Sequence, residues 1–374
     1  MSLALRPVPP FDLSLSLAFL RGFGPMVGEQ RVDATSLTKA FDLGGQAVAV
    51  RVRQEGDRER PTLDVDLYSE RALGAGLWRQ VLARVRALLS TDEDLAPFLA
   101  LAAADPAMAP LSSRLRGLHH VRFPSAFEAA CWGVINQRIQ LRAARAMKAA
   151  LVRRAGTCAT VEGTEHWAFP GPEAVLRLGE EELAKLLPGG RRAVAVHAAA
   201  RAFASVDATW LQRGPIDDVR GWLRAIHGVG PFTSSFVLYR GLGRFDGAAM
   251  VSPKLVAAAT KLYGRPFSSR DVLQKATDYG AWGGHWMLYV WASSFVGVDE
   301  DGEPSAHLGL QQSPASLQQT VISKSQQAWV PSSAVSQPRQ STNFSPSKQL
   351  PPFTPLNLAS ESQSTTQSFL SSQK

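Results

Sequence analysis

Two glycines flanking one apolar residue, Gly228-Val229-Gly230, stand between two apolar runs. Val219, Trp222, Leu223 and Ile226 repeat with helical spacing before them, and Phe232 to Tyr239 follows. The pattern predicts a helix–hairpin–helix. The glycines allow backbone angles that a Cβ forbids, and Pro231 suits a first helical turn, where its missing N–H is not needed. Thr233 is placed to bond the orphan amides of that turn. A corner running from His227 through Thr233 turns bare N–H groups and a helix start outward, which makes an anion site. On a basic chain the natural anion is a nucleic-acid phosphate. The plainer reading is a turn with no ligand, and Pro231, Thr233 and the amphipathic run before them weigh against it.

This stretch resembles the helix–hairpin–helix DNA glycosylase superfamily, and within it the DNA-3-methyladenine glycosylase II (alkylbase glycosylase) branch. The resemblance covers roughly residues 5–296. It rests on Gly228-Val229-Gly230-Pro231-Phe232-Thr233, Arg240-Gly241, Arg244-Phe245-Asp246, Ala126-Phe127-Glu128 with Asn136-Gln137, and Trp282 with Trp291. It implies a duplex-DNA partner and hydrolytic release of alkylated purines. It also implies a catalytic Asp six residues after Asp246, and that position holds Ser252, followed by Pro253 and Lys254. The departure matters because base excision passes through an oxocarbenium-like sugar that a carboxylate stabilises. Ser252 offers a dipole and no charge. Asp246 is the nearest substitute, although the family pattern gives that acid a structural role; Asp217 and Asp218 read as helix N-terminal charges.

Further roles follow from the same resemblance. Relatives that cut the strand carry a Schiff-base lysine where this chain has Phe232, which argues for base release without lyase chemistry; a plain core Phe fits that position equally. A flipped base needs aromatic walls, and Trp132, Phe232, Phe236 and Trp282 are the candidates. Gln137 and Arg138 match the loop that fills the hole left in the duplex, with a solvated Arg138 the bland alternative. A monovalent cation on the carbonyls of Gly228 and Gly230 is implied as well. The iron–sulfur loop of some relatives needs four cysteines, and this chain has two. His119 and His120 read as a DNA-facing rim with Arg114, Arg116 and Arg122. No histidine pair has metal-ligand spacing with a carboxylate, so no zinc or other metal centre is expected.

These residues need a scaffold. Residues 1–105 read as an α+β sheet domain, TATA-binding-protein-like by resemblance. Phe11–Leu17 alternates like a strand, with Ala18–Phe23 open to helix; Thr38–Leu43 and Ala47–Arg53 flank Gly44-Gly45 as a hairpin; Thr62–Tyr68 alternates again. Leu77, Val81, Leu82, Val85, Leu88 and Leu89 mark a helix. Residues 106–299 read as an all-α helix–hairpin–helix domain. Its first long helix breaks near Asn136-Gln137, and Gly156–Pro172 reads as irregular. Short helices follow over Pro172–Leu178 and Glu180–Leu187, and Arg191–Phe203 forms the next.

Composition bounds the rest. The chain has 374 residues, a formal charge of +8 and a sequence pI near 9.8. Residues 1–299 hold 36 basic and 28 acidic residues, so the whole excess lies there. Ser, Gln and Pro make up 37 of the 75 residues in 300–374, a composition that cannot bury enough apolar surface to order itself. Cys131 and Cys158 make neither a disulfide framework nor a metal site. No apolar run suits a membrane span, and no signal peptide is read at the N-terminus. An intracellular monomer in cytoplasm, nucleoid or nucleus is the expectation. Two rival readings stand beside the enzyme: a silent relative that binds damaged DNA, and a general DNA-binding protein outside repair.

Overall fold

The computed structural model of the protein describes residues 2–26, 29–74, 76–245 and 251–293. Asp246 and the segment 300–374, read above as disordered, lie outside the described residues.

The chain opens with β1 (Ser2–Leu5), α1 (Leu13–Gly22), β2 (Gln30–Val32), β3 (Ser36–Asp42), β4 (Ala47–Glu55) and β5 (Thr62–Tyr68). The five strands form one antiparallel sheet in the order β1-β5-β4-β3-β2. Gly44 and Gly45 turn the β3–β4 hairpin at φ +68° and +86°, as the paired glycines predict. Period-two alternation sorts the faces. Val48, Val50, Val52, Leu63, Val65 and Leu67 are buried in one core with Leu17, Val81 and Val85, the last two on α2 (Leu77–Leu89). The other face buries Ala40, Ala47 and Ala49 against a second hairpin, β6 (Thr157–Val161) and β7 (Thr164–Ala168). That hairpin occupies the stretch expected to be irregular.

The expected strand over Phe11–Leu17 is instead the start of α1. Leu13, Leu17 and Leu20 satisfy helical spacing as well as Leu13-Leu15-Leu17 satisfies a strand, and the cap decides between them. Asp12 Oδ1 accepts from the Ser14 amide at 3.0 Å, opening the helix immediately after Pro9-Pro10.

The helical part follows as α3 (Ala96–Ala104), α4 (Met108–Arg114), α5 (Ala126–Ile135), α6 (Leu141–Ala155) and α7 (Pro172–Leu186). Gly179, at φ +72°, kinks α7 where two short helices were expected. Then come α8 (Arg191–Ser205), α9 (Ala208–Arg213), α10 (Ile216–Ala225) and α11 (Pro231–Phe236), which runs on as a π-helical turn over Val237–Gly241. The last helices are α12 (Pro253–Tyr263), α13 (Ser269–Asp278) and α14 (Gly283–Ala292).

Two cores organise these elements. Helices α5, α8 and α10 share the core of the sheet, while Phe98 of α3 and Met108 of α4 pack with Leu255, Val272 and Trp286 of α12–α14. The connections between the cores are laced together: Ser90 Oγ donates to His120 O at 2.5 Å, and Arg122 Nη1 to Leu242 O at 3.0 Å. Beneath α5, Lys148 Nζ donates to Glu29 and Glu128, each at 2.7 Å, and to Pro25 O at 3.0 Å. Burial of this set pushes the Glu29 carboxyl up and Lys39 beside it down.

Candidate nucleic-acid interface

The hairpin is present and faces outward. Val219 and Leu223 bury the inner face of α10, Val229 turns inward at 5% exposure, and His227 and Gly228 are exposed. Gly228 sits at φ +84°, and a Cβ there would lie 2.4 Å from the Ala195 Cβ of α8. Both the backbone angle and the close approach therefore demand glycine. Gly230 is different: its φ is −88°, and nothing lies within 4 Å of where a Cβ would sit. It opens α11, with Pro231 in the first turn as expected.

Thr233 does not do what its position suggested. It is 2% exposed, α11 has no side-chain cap, and the Thr233 hydroxyl faces Gly133 O of α5 at 3.4 Å. Its methyl fills the space over Gly133, where a Cβ would meet Cγ2 at 2.7 Å. The threonine thus docks α11 onto α5, and among the described residues no side chain caps the start of α11.

Gln137 joins this corner. Its Nε2 donates to Gly228 O at 2.9 Å and to Thr233 Oγ1 at 3.3 Å. Gly230 O accepts from the Ser234 amide at 2.9 Å. Both carbonyls implicated in cation binding are therefore engaged once, and each keeps a second lone pair. Arg138, next in the chain, is exposed and holds φ +54°. A non-glycine residue in the left-handed region at a suspected loop tip is an outlier that the surroundings must support.

The four aromatic candidates separate. Phe232 and Phe236, one turn apart on α11, are half-buried and stack with centroids 6.3 Å apart and planes 20° apart. Phe236 also meets Phe123 edge-on at 5.6 Å. Trp132, expected as a pocket wall, is 3% exposed and packs in the core with the rest of α5. Trp282 is half-buried in the other core, against Phe98 at 6.2 Å and His285 at 4.9 Å.

Ser252 is the N-cap of α12; its Oγ accepts from the Leu255 amide at 3.1 Å. The hydroxyl at the position expected to hold a catalytic Asp is thus committed to holding a helix start. His119 and His120 are also corrections, being buried at 1% and 4% rather than lining a rim. His120 stacks on Tyr239 at 4.2 Å, and its Nε2 lies 3.2 Å from Arg240 Nη1. Arg240 lies against both Phe19 and Phe23, 4.7 and 4.6 Å from their ring centroids, and burial pushes it down to about 10. A cavity of about 330 Å³ opens at the other end of α5, among Arg84, Ser125, Phe127 and Phe203; none of the expected site residues lines it.

No family model matches the chain. A DNA-3-methyladenine glycosylase of Bacillus subtilis (strain 168) is 28% identical over 217 residues, 57% of this chain and 71% of the relative. Among solved structures, a 3-methyladenine DNA glycosylase from Archaeoglobus fulgidus matches with TM-score 0.63 and 20% identity, over 78% of this chain and 98% of that one. This chain has the helix–hairpin–helix DNA glycosylase fold. An 8-oxoguanine glycosylase/lyase from Clostridium acetobutylicum, in complex with double-stranded DNA, shares the fold at TM-score 0.58 and 15% identity, over 78% of this chain and 94% of that one.

Within this glycosylase fold, Arg192 makes contacts that its place in the sequence does not announce. It was one of several arginines on a helix, yet its Nη2 donates to Gln137 O at 2.8 Å and its Nε to Ile135 O at 3.1 Å. The available signal was its place in the first turn of α8, where a cation opposes the helix dipole.

Proposed function

We propose that the protein is a monofunctional DNA glycosylase of base-excision repair. It releases alkylated purines of the 3-methyladenine and 7-methylguanine type from duplex DNA by hydrolysing the N-glycosidic bond. The observation that carries this reading is the outward corner Gly228–Gly230, tied to the Gln137–Arg138 loop and flanked by the stacked Phe232–Phe236 pair. Uncapped amides at the start of α11 hold a phosphate. Arg138 fills the gap in the duplex, and the two phenyl rings favour a cationic purine over a neutral base. Such a purine leaves as a neutral base, which lowers the demand on a catalytic carboxylate. Phe232 in place of a lysine supports release without strand cleavage. The carbonyls of Gly228 and Gly230 retain lone pairs for a monovalent cation, and the protein acts as a monomer inside the cell.

The capping role of Ser252 favours one second reading, a relative that binds damaged duplex without breaking the glycosidic bond. Base release from methylated duplex DNA separates the two. Turnover by the natural chain supports the glycosylase. Turnover only after Ser252→Asp supports the silent binder, and no release by either, with no duplex affinity, contradicts both.

A further inference from the structure

Two arginines, Arg191 and Arg192, open the first turn of α8, where backbone amides already concentrate positive charge. A local rule broken in this way needs a compensating partner. Arg191 is exposed. Arg192 reaches across to the end of another helix: Nε donates to Ile135 O at 3.1 Å and Nη2 to Gln137 O at 2.8 Å, while Nη1 closes on Pro188 O at 3.2 Å. Ile135 is the last residue of α5. The guanidinium therefore rests on the negative end of α5, which offsets its position on α8. Its three nitrogens bind three carbonyls in directions set by one rigid plane, a geometry that a lysine ammonium does not reproduce.

The carbonyl at Gln137 is the one that precedes Arg138, held at φ +54°. On its side-chain end, Gln137 donates to Gly228 O in the hairpin. Gly228 in turn lies against Ala195, one turn along α8 from Arg192. A closed circuit results: α8 to Arg192, Arg192 to the Gln137 carbonyl, the Gln137 amide to Gly228, and Gly228 back to α8. The hairpin and the loop bearing Arg138 are thus fixed to one helix and to each other.

We propose that Arg192 is the positioning residue of the base-eversion step. It holds the backbone of Arg138 in its left-handed conformation and couples phosphate gripping at Gly228–Gly230 to entry of Arg138 into the duplex. This rests on the glycosylase reading above. The circuit makes affinity for an intact duplex and the ability to evert a base separable quantities. The first belongs to the hairpin, and the second needs Arg192 as well.

The test uses the full chain and a duplex carrying 2-aminopurine opposite thymine, whose fluorescence rises when the base leaves the stack. Duplex affinity, fluorescence gain and melting temperature are measured for the natural chain, Arg192→Lys and Arg192→Ala. The lysine variant keeps the charge and guards against a fold-wide effect of the alanine. Expected for Arg192→Lys are a melting temperature and a duplex affinity near those of the natural chain, with eversion reduced about tenfold, the scale of one lost charge-assisted hydrogen bond. Eversion equal to the natural chain in both variants overturns the proposal and leaves the glycosylase reading intact. A parallel loss of affinity and eversion marks Arg192 as general scaffold and also overturns it. A natural chain with no duplex affinity overturns the glycosylase reading and this inference together.

Discussion

At the scale of single residues, Ser252 is the position where scaffold and chemistry compete. Its hydroxyl caps α12, and Asp caps a helix about as well as Ser does. Ser252→Asp should therefore fold with an unchanged melting temperature while adding a carboxylate where the family resemblance implies one. At an effective dielectric of ~20 and ~4 Å from the sugar, such a charge is worth ~4 kcal/mol, about a thousandfold in rate. Ser252→Ala tests the other half: loss of about 1 kcal/mol of stability by denaturant melts, with base release unaltered. A catalytic role for the hydroxyl would show as lost turnover in that variant. His120 supplies a pH prediction. Burial and the facing Arg240 and Arg122 hold its pKa well below the ordinary value, and its Nε2 must accept from Arg240, so the folded protein keeps the ring neutral. The unfolded chain binds a proton that the native chain refuses, so the contribution is full above about pH 6.5 and is lost progressively as pH falls below it toward the depressed native pKa. Melting temperature should drop between pH 7.5 and 5.5, and by less in His120→Gln.

At the scale of elements, the hairpin was legible because the glycine at 228 has a local cause. Gly228 meets two demands, a positive φ and contact with Ala195, whereas Gly230 meets neither. Gly228→Ala should cost about 1–2 kcal/mol from the backbone angle alone, with the Ala195 collision in addition, and should lower the melting temperature. The β3–β4 hairpin and α2 were legible for similar reasons, a Gly-Gly turn in one case and helical apolar spacing in the other. The α1 start is ambiguous in the sequence because leucines at alternate positions fit two periods, and the Asp12 cap separates them. The β6–β7 hairpin is faint in the sequence because small residues, Ala159 and Ala168, pack its inner face and leave a weak apolar pattern. Motif position puts Thr233 and Trp132 on the working surface, yet packing claims both: α5 covers Thr233, and Trp132, on α5, is buried in the core.

For the whole molecule, the proposed function assigns long-range attraction to the basic excess of residues 1–299 and the grip on the duplex to the corner at Gly228–Gly230. Attraction alone falls with salt for any basic protein, so the decisive comparison removes the grip and leaves the charge. Gly230→Ala does this, since its φ of −88° accepts alanine and its Cβ meets no protein atom within 4 Å. The most direct measurement is duplex affinity as a function of salt for the natural chain and for Gly230→Ala, with melting curves alongside. The expected result is a log affinity falling linearly with log salt for the natural chain, and about tenfold weaker binding by the variant at unchanged melting temperature, because the added methyl stands where a phosphate approaches the amides. Equal affinities for the two proteins, or no salt-sensitive binding by the natural chain, would contradict the assignment of this corner to DNA.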